Sequence, residues 1–140
     1  MSFTKDLKIG NKYEDKIEAY YQQKGFETHR KKDYTYDIGA LLKIECKDQW
    51  KKCQKHGNLA IEVSCSGKPS GLTTTEAFYY INSAYYEDKI ISLQTEVRQL
   101  KQLIAENNYP LVKGGDGHRA MMHLIPVKAV VKISKIIDVE

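Results

Sequence analysis

The sequence offers little material for disulfides. Cysteine occurs three times, at Cys46, Cys53 and Cys65. That is an odd number without the paired spacing of a disulfide framework, which favours a reducing compartment. No apolar run approaches the roughly 20 residues that a membrane-spanning helix needs. The opening, Met1-Ser2-Phe3-Thr4-Lys5-Asp6, lacks the apolar core of a secretory signal. The expectation is a cytoplasmic protein with no membrane partner. Repeats, low-complexity tracts and linkers are also missing, so residues 1–140 read as a single domain, long enough to bury a real core. Excess charge is small: a formal +4 suits a nucleic-acid surface without demanding one. Tryptophan occurs once against ten tyrosines, and tyrosine serves both as half-buried core and as a polar contact.

Two common site chemistries are poorly supported. Cys46, Cys53, His56 and Cys65 invite a zinc reading, but Cys53 and His56 form the one closely spaced pair among them, and structural zinc sites use two. Cys46 reads instead as a small core residue. Gly67-Lys68-Pro69-Ser70-Gly71 contains glycine and lysine but not the glycine spacing of a phosphate-binding P-loop.

The periodicities predict an α/β protein. A helix over Lys5–Lys24 turns Tyr13, Ile17 and Tyr20 inward, with Leu7 and Ile9 contributing, and Gly25 ends it. A strand over Phe26–Arg30 turns basic at His29-Arg30-Lys31-Lys32. Asp48–Gly57 reads as a polar excursion. Leu59–Ser66 reads as a strand, and Thr75–Phe78 as a short helix capped by the preceding threonines. Tyr79–Tyr85 and Lys89–Leu93 form two strands around a turn. A second long helix covers Glu96–Asn107, with Val97, Leu100 and Ile104 buried and Thr95 as its cap. Gly114–Gly117 is a loop, Ala120–Pro126 a strand, and Val127–Glu140 a short helix or an edge strand.

The centre of the pattern is two short strands, Thr35–Leu41 and Lys43–Asp48, joined by a tight turn. Alternation puts Glu45 and Lys47 on one face, with Ile44 and Cys46 on the other. Asp37 is close enough in sequence for an antiparallel pairing to bring its carboxylate to Glu45. Acids and a lysine within apolar strands are costly unless something pairs them. A magnesium ion is one such partner, because its shell takes hard oxygen ligands, phosphate oxygens included. A surface hairpin with a salt bridge is the other. Glu14, at the edge of the first helix's apolar stripe, is either a solvated glutamate or a further carboxylate for the cluster. If the Leu59–Ser66 strand neighbours the Glu45 strand, Glu62 reaches the cluster too; otherwise it is a partner for a lysine.

Gly10 and Glu14, then Asp37, then Ile44-Glu45-Cys46-Lys47, resemble in their order the PD-(D/E)XK nuclease superfamily, in particular its Holliday-junction-resolvase-like branch. Tyr36 stands where that signature has proline. The stretches Gly57–Glu62 and Ser66–Gly71, with the threonines at 73–75, resemble small phage-type members. The resemblance implies a restriction-endonuclease-like core, a mixed sheet flanked by helices. It implies an Mg²⁺-dependent, or Mn²⁺-dependent, endodeoxyribonuclease, with Glu14, Asp37, Glu45 and Lys47 catalytic. Asp37, Glu45 and the backbone carbonyl of Cys46 would hold the metal. It further implies a homodimer acting on DNA, branched DNA included, in a bacterial or phage-infected cell.

The candidate DNA contacts are Arg30, Lys31 and Lys32, then Lys51, Lys52 and Lys55 around Trp50, then Lys68, Thr73 and Thr74. Cations neutralise phosphate, an aromatic ring can stack on an unpaired base, and hydroxyls near free amides seat phosphate oxygens. The plainer readings are a solvated loop, a Trp50 folded onto the core, and simple capping. Two other classes stay open: a nucleic-acid-binding module that keeps the fold without catalysis, and an interaction domain whose charges merely pair.

Overall fold

The computed structural model describes residues 3–24, 28–30, 38–39 and 43–139. Helix α1 (Phe3–Gln23) leads into strands β1 (His29–Arg30), β2 (Ile38–Gly39) and β3 (Ile44–Asp48). Then follow α2 (Trp50–His56), β4 (Asn58–Cys65), β5 (Lys68–Pro69), β6 (Tyr79–Tyr86), β7 (Lys89–Glu96) and α3 (Val97–Glu106). The chain continues through β8 (Leu111–Gly114), β9 (Ala120–Pro126), α4 (Val127–Lys132) and β10 (Ser134–Ile137).

The strands form two sheets. The larger is mixed, in the order β1-β2-β3-β6-β7-β10. Its one parallel pair, β3 with β6, runs from Ile44↔Tyr79 to Asp48↔Ser83. The smaller is antiparallel, in the order β5-β4-β9-β8. The helix-strand-strand-strand opening of the prediction is present. The second sheet was not predicted, and β8 was not read as a strand, because Leu111-Val112-Lys113-Gly114 is too short to show alternation.

Helix α1 covers one face of the larger sheet. Tyr13, Ile17 and Tyr21, four residues apart, bury against Ile44, Cys46, Ile81 and Ile137. Tyr21 takes the inward place predicted for Tyr20, which stays half-buried with its ring edge-on to Tyr21 at 5.2 Å. The other face packs a larger cluster, with Tyr80, Ala84 and Leu93 from the sheet against Leu59, Ile61 and Ile125 from the smaller one. Each fully buried side chain of this size contributes about 1.5–3 kcal/mol through burial.

Several predicted boundaries change. The polar excursion after Lys47 is helix α2. Cys53 buries, Gly57 closes the helix at φ 75°, and Lys55 and His56 sit in its last turn, where the helix dipole favours cations. Seven residues with one fully buried side chain carry too little period to be read as a helix. In place of the Thr75–Phe78 helix there is a 3₁₀ turn at Gly71–Thr73. Gly71 has φ +54°, and a Cβ there would run into the main chain of Glu62. Thr95 does not cap α3: β7 continues to Glu96, and the Thr95 hydroxyl meets that of Ser134 on β10 at 2.6 Å. The tail forms both a helix and an edge strand, α4 and β10. Among the described residues no helix is long and apolar enough to cross a membrane.

Candidate functional site

Glu45 and Lys47 occupy the middle of β3, a strand flanked by β2 on one side and β6 on the other. Alternation turns both away from the α1 face, where Ile44 and Cys46 are buried. Lys47 Nζ lies 3.2 Å from Glu45 Oε1; the Glu45 side chain is 12% exposed and that of Lys47 46%. Glu45 Oε2 is buried. An acid so largely removed from water, held by a half-solvated ammonium, is the ion pair the sequence pointed to. β2 begins at Ile38, whose antiparallel partner is Ile44, the residue before Glu45.

Asp37, Lys31 and Lys32 lie outside the described residues, and Arg30 is described by its main chain in β1 only. Glu14 is on α1, half-buried, next to the inward-facing Tyr13. Cys46 contributes its main chain to the parallel ladder, opposite Ile81. A carboxylate with one shielded oxygen, beside a backbone carbonyl, is a hard-oxygen donor set of the kind magnesium takes. Among the described residues no three His, Cys, Asp or Glu side chains converge.

Lys51, Lys52 and Lys55 are exposed on α2. Spacings of three and four residues put them on one side of that helix, away from Cys53. The helix starts three residues after Lys47, so the ion pair and the cationic face adjoin along the chain. Trp50 is half-buried, with Lys51 Nζ 5.7 Å from its ring centroid. Lys68 is distant in topology, on the edge strand β5 of the smaller sheet. Thr73 donates its hydroxyl to the carbonyl of Val63 at 2.7 Å, a structural bond, and Thr74 is exposed.

Glu62 does not join the cluster. β4 belongs to the smaller sheet, and β6 takes the place beside β3. Glu62 Oε2 accepts the Ser70 hydroxyl at 2.9 Å instead. Cys46 and Cys53 are buried in different clusters, on opposite faces of the larger sheet. The thiol of Cys53 donates to the carbonyl of Tyr85, whose own N–H donates back to that sulfur.

Sequence reading missed three polar residues around the end of β3. The Ser83 hydroxyl donates to Asp48 at 2.5 Å and accepts the N–H groups of Gln49 and Trp50, fixing the turn into α2. The Gln49 side chain links Asn82 on β6 to the main chain of Ala60 on β4. Nothing in the local pattern marks Asn82, which with Ser83 interrupts an otherwise apolar and aromatic strand.

A cavity of about 740 Å³ lies on the α1 side, away from the ion pair. Lys12, Lys16, Lys89, Trp50 and the exposed Ile90 and Ile136 line it. On the same side the Tyr13 hydroxyl bonds Ser92 at 3.1 Å. Burial pushes the Tyr13 phenol well above its ordinary range, against the lowering effect of Ser92, with Cys46 and Asp48 adding to the rise. Tyr21 is raised as well, mainly by burial.

No family model, no curated protein and no solved structure matches this chain.

Proposed function

We propose that the protein is a metal-dependent endonuclease that hydrolyses phosphodiester bonds in DNA, with branched junctions among its substrates. The observation that carries this reading is the Glu45–Lys47 pair: a largely buried carboxylate and a half-exposed ammonium 3.2 Å apart on a central strand. The arrangement around it supports the reading. A helix precedes three neighbouring strands, a second helix follows, and β6 then returns parallel to β3. That order suits the restriction-endonuclease-like core that the sequence resembles.

In this reading Asp37, Glu45 and the carbonyl of Cys46 would hold Mg²⁺ or Mn²⁺, without Glu14, whose helix α1 packs on the opposite face of the sheet. The ion supplies positive charge at the scissile phosphate and a more acidic bound water. Lys47 donates its hydrogens to the attacking water or to a phosphate oxygen as negative charge develops there. Lys51, Lys52 and Lys55 grip the backbone on either side of the cut, with Arg30, Lys31, Lys32 and Lys68 extending the contact. Two symmetric cuts across a junction require two such sites, which a twofold homodimer provides.

The test is incubation of the protein with labelled junction, duplex and single-stranded DNAs, with Mg²⁺ and with chelator. Cleavage that depends on Mg²⁺ and is strongest on the junction is expected. Binding to every DNA without cleavage in Mg²⁺ or Mn²⁺ would replace this reading with that of a non-catalytic DNA-binding module. Neither binding nor cleavage would leave the ion pair as a structural charge pair.

A further inference from the structure

Asn82 sits on the central strand β6, wholly shielded from solvent, in register with Lys47 on β3. Its hydrogen-bond chain fixes which way its amide points. The N–H of Ala60 can only donate, and it donates to the Gln49 side chain at 2.9 Å. The atom of Gln49 that receives it is therefore the oxygen, which leaves its nitrogen to face Asn82 at 2.8 Å. The atom of Asn82 that receives that nitrogen must in turn be Oδ1. A backbone group thus settles two side-chain amides that could otherwise be flipped. What remains is Asn82 Nδ2, a buried donor without a hydrogen-bond partner among the described residues.

Such a donor calls for an acceptor, because a buried polar group left unmade carries the full cost of its desolvation. Residues in register across a sheet project to the same face, so Asn82 shares its face with Lys47 and Glu45. Among the described strands of the larger sheet, Glu45 is the one carboxylate on that face. Its Oε2 is shielded from solvent as Asn82 is.

We propose that Asn82 is a positioning residue for Glu45. It donates Nδ2–H to a single enclosed water that in turn donates to the inner carboxylate oxygen, and so holds the carboxylate in the rotamer that presents Oε1 to Lys47. Gln49 anchors Asn82 from behind and ties it to the smaller sheet. The link itself rests on the shared face and the burial of both groups, while its consequence for metal binding rests on the nuclease reading above. In that reading Asn82 orients a metal-binding carboxylate as outer-shell partners do, and losing such a partner weakens metal affinity by about 10- to 100-fold.

The experiment uses the full chain and follows the Asn82 side-chain amide pair in ¹⁵N–¹H correlation spectra, assigned by its disappearance in Asn82→Ala. Glu45→Gln should shift that pair while most backbone signals stay in place. Calorimetric titration with Mg²⁺ alone should show about tenfold weaker binding by Asn82→Ala. Asn82→Asp keeps the oxygen that Gln49 uses but exchanges the donor for an acceptor, and should weaken binding at least as much. If Asn82→Asp does not fold, Gln49→Ala, which frees the Asn82 amide to rotate, should weaken binding in the same direction. An Asn82 pair that does not respond to Glu45→Gln overturns the proposal, as does a folded Asn82→Ala with wild-type Mg²⁺ affinity. A wild-type chain that binds no Mg²⁺, while the pair still responds to Glu45→Gln, sinks the metal reading and supports the Asn82–Glu45 link.

Discussion

The two faces of the larger sheet treat polar groups differently. On the α1 face, hydroxyls enter the interface with their partners already in place. Tyr13 bonds Ser92, Tyr21 donates to Gln94 at 2.7 Å, and Ser83 bonds Asp48. Each is neutral or tied to a neutral group; the first two join α1 to β7, and the third joins β6 to the end of β3. The opposite face carries a largely buried carboxylate, a half-exposed ammonium and a buried amide beside Tyr80, Ala84 and Leu93 of the larger apolar cluster. A face built for packing satisfies its polar groups at little cost. One that keeps a carboxylate largely out of water bears a desolvation cost that an apolar side chain there would not. This asymmetry is why the Glu45 face, rather than the cavity on the α1 side, is the better candidate for chemistry.

The comparison breaks most visibly at Lys47. With its side chain 46% exposed, the pair with Glu45 is worth about 1 kcal/mol as simple charge pairing. Lys47→Met should therefore cost about that much in urea unfolding. The single-turnover cleavage rate should fall by about 10²–10³-fold, the loss typical of one transition-state donor. A variant that unfolds far more easily, yet cuts at the normal rate while folded, would make the two faces alike: both structural.

A smaller effect sharpens the functional side. If the lysine face of α2 holds DNA, replacing Lys51, Lys52 and Lys55 together with alanine should flatten the salt dependence of binding. The slope of log affinity against log salt should drop by about two to three units. The three side chains are exposed, so the fold should be indifferent to the change. An unaltered slope would assign them to solvent and move the DNA surface toward Arg30 and Lys68.

The smallest effect belongs to the packing face. Tyr13→Phe removes one buried hydrogen bond, and stability near neutral pH should fall by about 1 kcal/mol. Alkali adds a second readout. The folded-state pKa of Tyr13 is raised, so its contribution is fully present below the unfolded value near 10 and is lost as pH rises above it. Urea midpoints should therefore decline as pH rises from about 9 to about 11, less steeply in Tyr13→Phe than in wild type. Equal slopes would mean that this phenol is not held neutral by its burial.

Legibility followed the length of the pattern. The long α1 and α3 stripes, and the β6–β7 pair around Glu87-Asp88, were readable because each shows several turns or alternations of one period. Glu45 and Lys47 were readable because charge stands out within Ile44-Glu45-Cys46-Lys47. Helix α2 was not, since its one fully buried side chain, Cys53, repeats nothing. Asn82 and Gln49 were invisible for another reason. Their importance lies in the Gln49–Asn82 and Gln49–Ala60 bonds, which tie the turn after β3 to β6 and β4, 33 and 11 residues away.

Local sequence was enough to determine the helix that opens the chain, the strand that carries an acid and a lysine on one face, and the side of each element that must be buried. These follow from side-chain period and apolar content, which act over a few residues. Which strand lies beside β3 was a tertiary decision. The Leu59–Ser66 run and the Tyr79–Tyr86 run are both apolar enough to pair there, and β6 does so while β4 is drawn into a second sheet with β9. Pairing depends on which register buries the most surface once every element has docked, and no single segment contains that information. The same choice placed Asn82 rather than Glu62 beside Lys47.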